Sequence, residues 1–481
     1  MKTRSLVRLI LLGFVSIWLA TAIFHAYKPL PAGLNLVGAQ QPVDQVTFLT
    51  DITYARQGEE NSRYMEQEIF DATLEMIANA REFILVDMFL FNDFQGQVSE
   101  DHRNLSAELT QALIEQKQQY PSMEVHVISD PLNTVYGGRF SEHFQRLEAA
   151  GITVTLTQLA RLRDSNPAYS GLWRLLFKPF GNSEASTVPN PFREGRVSIR
   201  SYLALFNFKA NHRKLIISDQ HEGTELVALV TSANPHDGSS AHGNVALRFN
   251  GPAVLDLLAS EQAVLAFSSK QQININVPTA ESTPTTSMTL QVVTERAVED
   301  ALIQIIDKAQ PAESLDLAVF YLSDRHVVRA LKRAVDRGVV VRVLLDPNKD
   351  AFGREKNGVP NRPVAHELTQ AGVDLRWCAT QGEQCHAKWL LHRDARGQAT
   401  MVLGSTNFTR RNLHNLNLET SVILRGAAEE QTMQAGLAWF EDQWLNRDGR
   451  VFSADYEVFA DSSLKHRLLY RFMEATGLST F

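Results

Sequence analysis

The sequence has little cysteine, no excess of positive charge and no low-complexity tract. Two cysteines in 481 residues are too few to build a structural zinc site. The formal net charge of −7 argues against a general nucleic-acid binder, because such proteins carry a basic excess. The composition, 44% apolar and 21% charged, is ordinary for a folded protein of two or three domains.

The first residues predict a membrane anchor. Arg4 and Arg8 precede an apolar run at 9–24, and Lys28 follows it. With its flanking residues, this segment reaches the roughly 20 residues that a helix needs to cross a bilayer. The positive end favours an anchor in the inner cell membrane with the body of the protein on the extracytoplasmic, periplasmic side. Secretion after cleavage of a signal peptide is the alternative.

Two stretches of the chain carry the same pattern of chemically active residues. An HxK pair at His212 and Lys214 is repeated at His386 and Lys388. Each pair is followed, at nearly the same distance, by a turn of small residues that ends in Asn. A duplicated HxK with matched downstream spacing is far more specific than a single one. The turn residues expected to bind substrate are Ser232, Asn234, Ser405 and Asn407.

The two halves also repeat an alternation of helices and buried strands. Helical apolar spacing that leads into a continuous apolar run occurs at 68–93 and again at 297–322. This alternation predicts an α/β fold of two similar sandwich lobes, related by a pseudo-twofold axis that brings one HxK from each lobe to a shared seam. The expected divisions are an anchor at 1–30, a first lobe at 46–267 with an insertion at about 158–207, a linker at 268–288 and a second lobe at 289–481.

The insertion is aromatic, basic and broken by prolines. Such a composition suits a surface that meets lipid headgroups and acyl chains. A packed accessory subdomain is an equal alternative. The C-terminal stretch 464–475 combines apolar and basic residues, so it either lies on a membrane or packs on its own domain.

Two His–Lys pairs at one cleft suit the chemistry of a phosphodiester. Its negative oxygens repel a nucleophile, so donors that offset this charge lower the barrier. One imidazole can attack phosphorus while the other protonates the leaving alkoxide. Lys214 and Lys388 would hold the phosphate. We expect no metal and no cofactor.

These residues resemble the signature of the phospholipase D superfamily, HxKxxxxD followed by a GSxN turn, present twice in one chain. Asp219 completes the first copy and is counted with the catalytic residues, whereas Arg393 stands at that position in the second copy. The resemblance, strongest to bacterial phospholipase D and cardiolipin synthase-type enzymes, implies a covalent phosphohistidine intermediate. It also implies that a downstream acid holds the His of the opposite lobe.

Carried over to this chain, the resemblance makes Glu419 the residue that orients His212. We therefore expect His212 to be the nucleophile and His386 the general acid and base. The sequence alignment of the halves pairs Asn244 with Asn417, which leaves His386 without an equivalent partner.

The predicted function is a phosphodiesterase or phosphatidyltransferase that acts on membrane phospholipids, with water or an alcohol, including another phospholipid, as acceptor. A nuclease of the same superfamily and a non-catalytic lipid-binding protein are the alternatives. No nucleic-acid partner is expected, and no oligomer is required to complete the site. In an exported protein Cys378 and Cys385 would form a disulfide; two free, partly buried thiols are the alternative.

Overall fold

The chain folds around two large mixed β-sheets, one in each half of the sequence. The computed structural model describes residues 2–96, 102–220, 225–269, 271–273, 287–351, 354–479 and 481. The strands among these residues are β1 (Gln41–Pro42), β2 (Val46–Arg56), β3 (Glu59–Gln67), β4 (Phe83–Met88), β5 (Glu124–Ser129), β6 (Thr153–Leu156), β7 (Val188–Pro189), β8 (Arg196–Val197), β9 (Lys214–Gln220), β10 (Glu225–Thr231), β11 (Asn244–Asn250), β12 (Thr289–Thr294), β13 (Ser314–Val319), β14 (Val340–Leu345), β15 (Asp350–Ala351), β16 (Arg354–Glu355), β17 (Asp374–Cys378), β18 (Lys388–Arg393), β19 (Gln398–Gly404), β20 (Thr420–Ala427), β21 (Arg450–Val451) and β22 (Ser453–Asp455).

Helices pack on the sheets and form the N-terminal segment. They are α1 (Lys2–Tyr27), α2 (Ile69–Asn79), α3 (Leu105–Gln119), α4 (Glu142–Ala149), α5 (Pro167–Leu176), α6 (Ile199–Leu205), α7 (Ala253–Ser268), α8 (Arg296–Lys308), α9 (Arg325–Asp336), α10 (Asn361–Thr369), α11 (Arg410–Leu413), α12 (Gln431–Leu445) and α13 (Leu464–Thr476). Two of them, α7 and α12, contribute to the apolar cluster shared by both sheets.

Both sheets repeat one order of seven strands. The first sheet runs β21-β2-β11-β10-β9-β4-β5-β6, with β3 beside β2, and the second runs β1-β12-β20-β19-β18-β13-β14-β17-β22. In both, the steps β4–β5–β6 and β13–β14–β17 are parallel and the other neighbours antiparallel. Central strands such as β4 are buried on both faces, which explains their unbroken apolar sequence. The predicted α/β fold with two similar lobes is confirmed.

The lobes are joined by a shared core and by exchanged edge strands. Buried residues of both sheets, among them Leu215, Leu247, Trp389 and Leu403, belong to one apolar cluster. Strand β1 from the first half pairs with β12, and β21 from the second half pairs with β2. Each half therefore caps a sheet edge of the other. The boundaries at 46–267 and 289–481 stay predictions, and most of the linker at 268–288 lies outside the described residues.

The N-terminal helix projects from the body of the protein. The segment Arg4–Tyr27 has 24 residues and a mean hydropathy of 2.2, and only 6% of its most apolar window is buried. By length and composition it can cross a membrane. The insertion predicted at 158–207 forms α5, α6 and the β7–β8 hairpin, and α5 packs against α1.

Cys378 and Cys385 form a disulfide. It joins the end of β17 to the residue that precedes His386. The covalent bond therefore limits the movement of the chain at the second HxK motif.

Candidate active site

The two HxK motifs lie at the seam between the sheets, where β9 and β18 begin. The backbone N–H of His212 donates to the carbonyl of Leu418 at 2.9 Å, and that of His386 donates to the carbonyl of Gly243 at 2.8 Å. Each histidine is thus tied by its backbone to the opposite lobe. Both side chains are buried, at 8% and 7% exposure.

The ring of His212 is held by Glu419 of the opposite lobe. Its Nδ1 lies 3.0 Å from Glu419 Oε2. The hydroxyl of Ser405 donates to the same oxygen at 2.5 Å, and the amide of Asn412 donates to the other oxygen. Burial alone would raise the pKa of Glu419, but His212, Lys214 and Ser405 together hold it below its ordinary value. The carboxylate is therefore ionised and fixes the Nδ1–H tautomer of His212.

The ring of His386 is held by an amide in the equivalent place. Its Nδ1 lies 3.1 Å from Asn244 Oδ1. Asn244 uses its Nδ2 to donate to the carbonyl of His242 at 2.9 Å, so its oxygen faces the ring. The hydroxyl of Ser232 donates to the same Oδ1 at 2.9 Å. His386 therefore also carries its proton on Nδ1.

The expected equivalence of Asn244 with Asn417 is wrong. Ser232 and Ser405 occupy matching sites, because each N–H donates to the carbonyl directly after the orienting residue, Val245 in one lobe and Thr420 in the other. This register matches Asn244 with Glu419. The expectation that His386 lacks a partner is wrong for the same reason, although that partner carries no charge.

Each lysine lies beside its own histidine and over an aromatic ring. Lys214 Nζ donates to the carbonyl of His212 at 2.7 Å, and Lys388 Nζ to that of His386 at 2.5 Å. The Phe89 ring lies 5.1 Å from Lys214 Nζ and 4.9 Å from the His212 ring. The corresponding distances from the Phe320 ring are 5.2 Å to Lys388 Nζ and 5.0 Å to the His386 ring.

These two phenylalanines were not predicted from the sequence as site residues. Phe89 directly follows β4 and Phe320 directly follows β13. Their matching positions after equivalent strands were the available signal.

The two histidines and two lysines are buried together, and burial opposes a positive charge on each of them. Burial lowers the pKa of His212 to about 4, against the opposing effect of Glu419, and lowers the pKa of His386 well below its ordinary value. Burial also lowers the pKa of Lys214 to about 7 and that of Lys388 well below its ordinary value. The charges of Lys388, Lys214 and His212 lower the pKa of His386 further. An anion bound among these groups would raise all four pKa values.

Two buried aspartates fix the residues that precede the histidines. Asp130 Oδ2 accepts from the N–H of Asn211 at 2.7 Å, and Asp346 Oδ2 accepts from the N–H of Cys385 at 2.9 Å. Burial raises the pKa of Asp130 to about 7 and that of Asp346 to about 6. Their other oxygens accept from N–H groups in the turns that follow. The aspartates thus anchor both turns and both HxK motifs.

Asp219 does not contact the site. Its carboxylate lies at the far end of β9 and accepts from the backbone N–H groups of Arg81, Glu82 and Phe83, at 2.7 to 3.2 Å. It therefore fixes the start of β4, and its assignment to the catalytic group is corrected. Arg393 occupies the corresponding position in the second motif. It lies at the end of β18 away from Lys388, so an acid is not needed at this position to form the second half of the site.

The turn residues differ from expectation in their roles. Ser232 and Ser405 hold Asn244 and Glu419 and so act on the histidines rather than on substrate. Asn234 Oδ1 accepts from the N–H of Leu90 at 3.2 Å. Asn407 is buried, and its Oδ1 has no hydrogen-bond partner among the residues that the structure describes. The two asparagines remain candidates for binding substrate.

A second polar cluster, not found from the sequence, lies where α8, the start of α9 and the end of α11 meet. Within the described ranges, Glu299, Asp324, His326 and His414 present ligand atoms within 4.8 Å of one another and could hold a metal ion. They also satisfy each other: His326 Nδ1 lies 2.6 Å from Glu299, and His414 Nε2 lies 2.9 Å from Asp324. His414 directly follows α11, in the segment that leads to Glu419.

Comparisons with known proteins agree with this geometry. Residues 302–444 match the family described as "Cardiolipin synthase, PLD-like domain", a range that contains the second HxK and Glu419. The fold is similar to that of phosphatidylserine synthase from Haemophilus influenzae Rd KW20, with a TM-score of 0.53 and 12% identity over 92% of this chain and 96% of that chain. Residues 302–444 are therefore related to the phospholipase D-like domain family, and the chain as a whole shares the fold of that phosphatidylserine synthase.

Two further solved structures are more distant. Polyphosphate kinase from Porphyromonas gingivalis gives a TM-score of 0.46 and 12% identity over 85% of this chain and 52% of that chain. Nuc, a phospholipase D family member from Salmonella typhimurium, gives 0.27 and 20% identity over 33% of this chain and 95% of that chain. No curated protein sequence matches the chain.

The cluster of Glu299, Asp324, His326 and His414 predicts a pH-dependent contribution to stability. Burial alone would lower the pKa of His414. Asp324 and Glu299 have the larger effect and raise this pKa to about 9. The stabilisation is therefore complete below about pH 6.5 and is lost as the pH rises through 9. Replacing His414 by Gln should lower the free energy of unfolding by on the order of 2 kcal/mol at pH 6.

Urea denaturation of the detergent-solubilised protein at pH 6 to 10 measures this loss. The difference between wild type and His414→Gln should shrink steadily above pH 8. His143→Gln is the control, because burial lowers the pKa of His143 and keeps it neutral above pH 7. A difference that stays constant to pH 10 for His414→Gln would contradict the assignment.

Proposed function

We propose that the protein is a phospholipase D-type enzyme that transfers the phosphatidyl group of a membrane phospholipid to water or an alcohol. One observation carries the proposal: two buried imidazoles lie at one seam beside two buried lysines, and the Nδ1 of each ring is held by the opposite lobe. In the described part of the chain, neither Nε2 makes a hydrogen bond to protein. Both Nε2 atoms are thus available to a substrate phosphate.

In the first step, His212 Nε2 attacks phosphorus and forms a P–N bond. The P–O bond to the headgroup alcohol breaks, and His386, protonated on Nε2, gives its proton to the leaving oxygen. In the second step, neutral His386 takes a proton from water or an alcohol. That oxygen attacks phosphorus, and the P–N electron pair returns to His212.

The two rings have different hydrogen-bond partners, and this difference assigns them the two roles. The carboxylate of Glu419 stabilises positive charge on His212 as the P–N bond forms. The neutral amide of Asn244 gives His386 no such support, so its imidazolium is the stronger acid. Charged phosphate oxygens would favour protonation of His386, which burial otherwise opposes.

The two lysines and two asparagine amides of the site would stabilise the transition state. Lys214 and Lys388 each donate only to a single carbonyl among the described residues, which leaves two further N–H donors apiece. These donors and the amides of Asn234 and Asn407 would bind the phosphate oxygens. The chemistry of this set requires neither a metal nor a cofactor.

Three features support a membrane phospholipid as substrate. The helix α1 has the length and hydropathy of a membrane anchor. The family that matches residues 302–444 is described as a cardiolipin synthase domain, and the similar fold is that of a phosphatidylserine synthase. The net charge of −7 disfavours the alternative nuclease. We place the body of the protein on the extracytoplasmic side of the inner membrane, where an oxidising environment preserves the Cys378–Cys385 disulfide.

Radiolabelled phospholipid vesicles, with and without added glycerol, test the function. Wild type should release the headgroup and, with glycerol, form phosphatidylglycerol. His212→Ala should lower turnover by on the order of 10³-fold or more, because it removes the nucleophile. His392→Ala, at the far end of β18, is the control and should keep wild-type turnover. Equal turnover by His212→Ala would exclude this site, and His212-dependent DNA cleavage without lipid turnover would show a nuclease.

Exchanging the orienting groups tests the two roles. Glu419→Gln should lower kcat by about 10²–10⁴-fold, because His212 loses the carboxylate that supports its positive charge. Asn244→Asp places a carboxylate beside His386 and should raise its pKa by about 1–3 units. The alkaline limb of the kcat profile, which reports loss of the general acid, should therefore move to higher pH in Asn244→Asp. An unmoved limb in this variant would show that His386 is not the acid.

A further inference from the structure

The insertion is built around the outer end of the anchor helix. The indole N–H of Trp18 in α1 donates to the carbonyl of Ala168 in α5 at 2.9 Å. The backbone N–H of Asp164 donates to the carbonyl of His25 at 2.9 Å. Lys28 follows α1, and its carbonyl accepts from the guanidinium of Arg163 at 2.8 Å. The end of α1 is thus bonded to the insertion.

A glycine sets how closely α5 approaches α1. A Cβ at Gly171 would lie 3.0 Å from Trp18 Cδ1 and 3.1 Å from Ala22 Cβ, so the two helices touch at this residue. Trp18 and Ala22 lie inside the apolar run that ends at Phe24. At 1.5 Å per residue, Trp18 is roughly 9 Å below that end. A bilayer that surrounds α1 as far as Phe24 therefore also contacts α5.

The insertion presents apolar side chains outward. A membrane-facing segment needs such side chains with basic residues beside them. Lys178 and Arg200 lie among the apolar positions. The exposed apolar residues are Leu176, Phe177, Phe180, Ile199 and Phe206.

Helix α13 continues this surface from the other lobe. Gly477, which ends α13 with a φ of +73°, approaches the carbonyl of Ser165 so closely that any side chain there would collide with it. Leu464, Leu468 and Phe472 are exposed at four-residue spacing, and therefore form one stripe along the helix. The basic residues of α13 are Lys465, His466, Arg467 and Arg471.

Both elements are linked to the chain beside the two histidines. In the insertion, the buried Asp164 carboxylate pairs with Arg174 of α5 and with Lys209, three residues before His212.

On the other side, the ring of Phe481, beyond α13, lies 6.0 Å from that of Tyr321. The Tyr321 ring lies 4.0 Å from the Phe320 ring, which contacts His386. The insertion is therefore ion-paired to the chain three residues before His212, and Phe481 is linked to His386 through the rings of Tyr321 and Phe320.

We infer that the exposed apolar residues of the insertion and of α13 form one membrane face, which enters the bilayer leaflet where α1 ends. The site then takes its phospholipid from that same leaflet. The membrane face itself depends only on α1 crossing the bilayer; the source of the lipid rests on the proposed function.

Carbene labelling of the full-length protein in phosphatidylethanolamine–phosphatidylglycerol vesicles tests the face without an activity readout. An apolar diazirine partitions into the bilayer and on photolysis labels the side chains that contact acyl chains. Mass spectrometry should find label in α1, in 176–180 and in α13. Val340 is an exposed apolar control at the end of β14 opposite Asp346, and it should remain unlabelled. Label confined to α1 would overturn the inference.

Turnover of two forms of substrate tests the source of the lipid. Phe177→Asp/Phe180→Asp and Leu468→Glu/Phe472→Glu should each lower turnover of vesicle phospholipid at least tenfold. Both should keep turnover of a short-chain, monomeric phospholipid within twofold, and Val340→Asp should change neither. Equal losses on both substrates would overturn the inference.

The two proposals can fail separately. A wild-type protein that turns over neither substrate would refute the proposed function, while the labelling still decides the membrane face. If a second copy of the chain covered this face, label would stay in α1 and the variants would alter the oligomeric state in light scattering, which also overturns the inference.

Discussion

The structure depends on the backbone bonds that cross the seam beside each histidine. The backbone N–H of His212 donates to Leu418 and that of His386 donates to Gly243, so β9 and β18 each begin against the opposite lobe. Neither lobe contains a complete site, because the group that orients each ring comes from the other. The shared core and the exchanged edge strands hold this arrangement, since separating the lobes would expose apolar surface and leave sheet edges unpaired. Duplication of a half-site therefore has a direct structural reason.

The symmetry of the fold is broken by one substitution. Glu419 and Asn244 occupy the same position in the repeat and accept the same kind of bond from an imidazole Nδ1. One carries a charge and the other does not. Two histidines with nearly identical backbone settings can therefore perform opposite proton chemistry. The flanking serines are conserved in role between the lobes, because each positions the acceptor rather than a substrate.

Spacing and apolar patterning were enough to predict the repeated fold and the two His–Lys pairs, whereas the partnership of Glu419 with His212 was implied by the resemblance to the phospholipase D superfamily. The position of Asn244 was missed because the connecting loops differ by two residues, so only the sheet register shows the match. Phe89 and Phe320 were not predicted because they stand at the ends of apolar runs. There the apolar pattern does not distinguish a core residue from a residue of the active site. Asp219 was assigned from the signature, although its distance along β9 from Lys214 already implied another location.

The central claim is that His212, supported by Glu419, forms the covalent bond to phosphorus. Rapid quenching of the reaction at alkaline pH, which preserves phosphoramidate bonds, followed by mass spectrometry of proteolytic peptides tests it most directly. The account predicts a phosphatidyl adduct on the peptide that contains His212. An adduct on the peptide that contains His386 would contradict it.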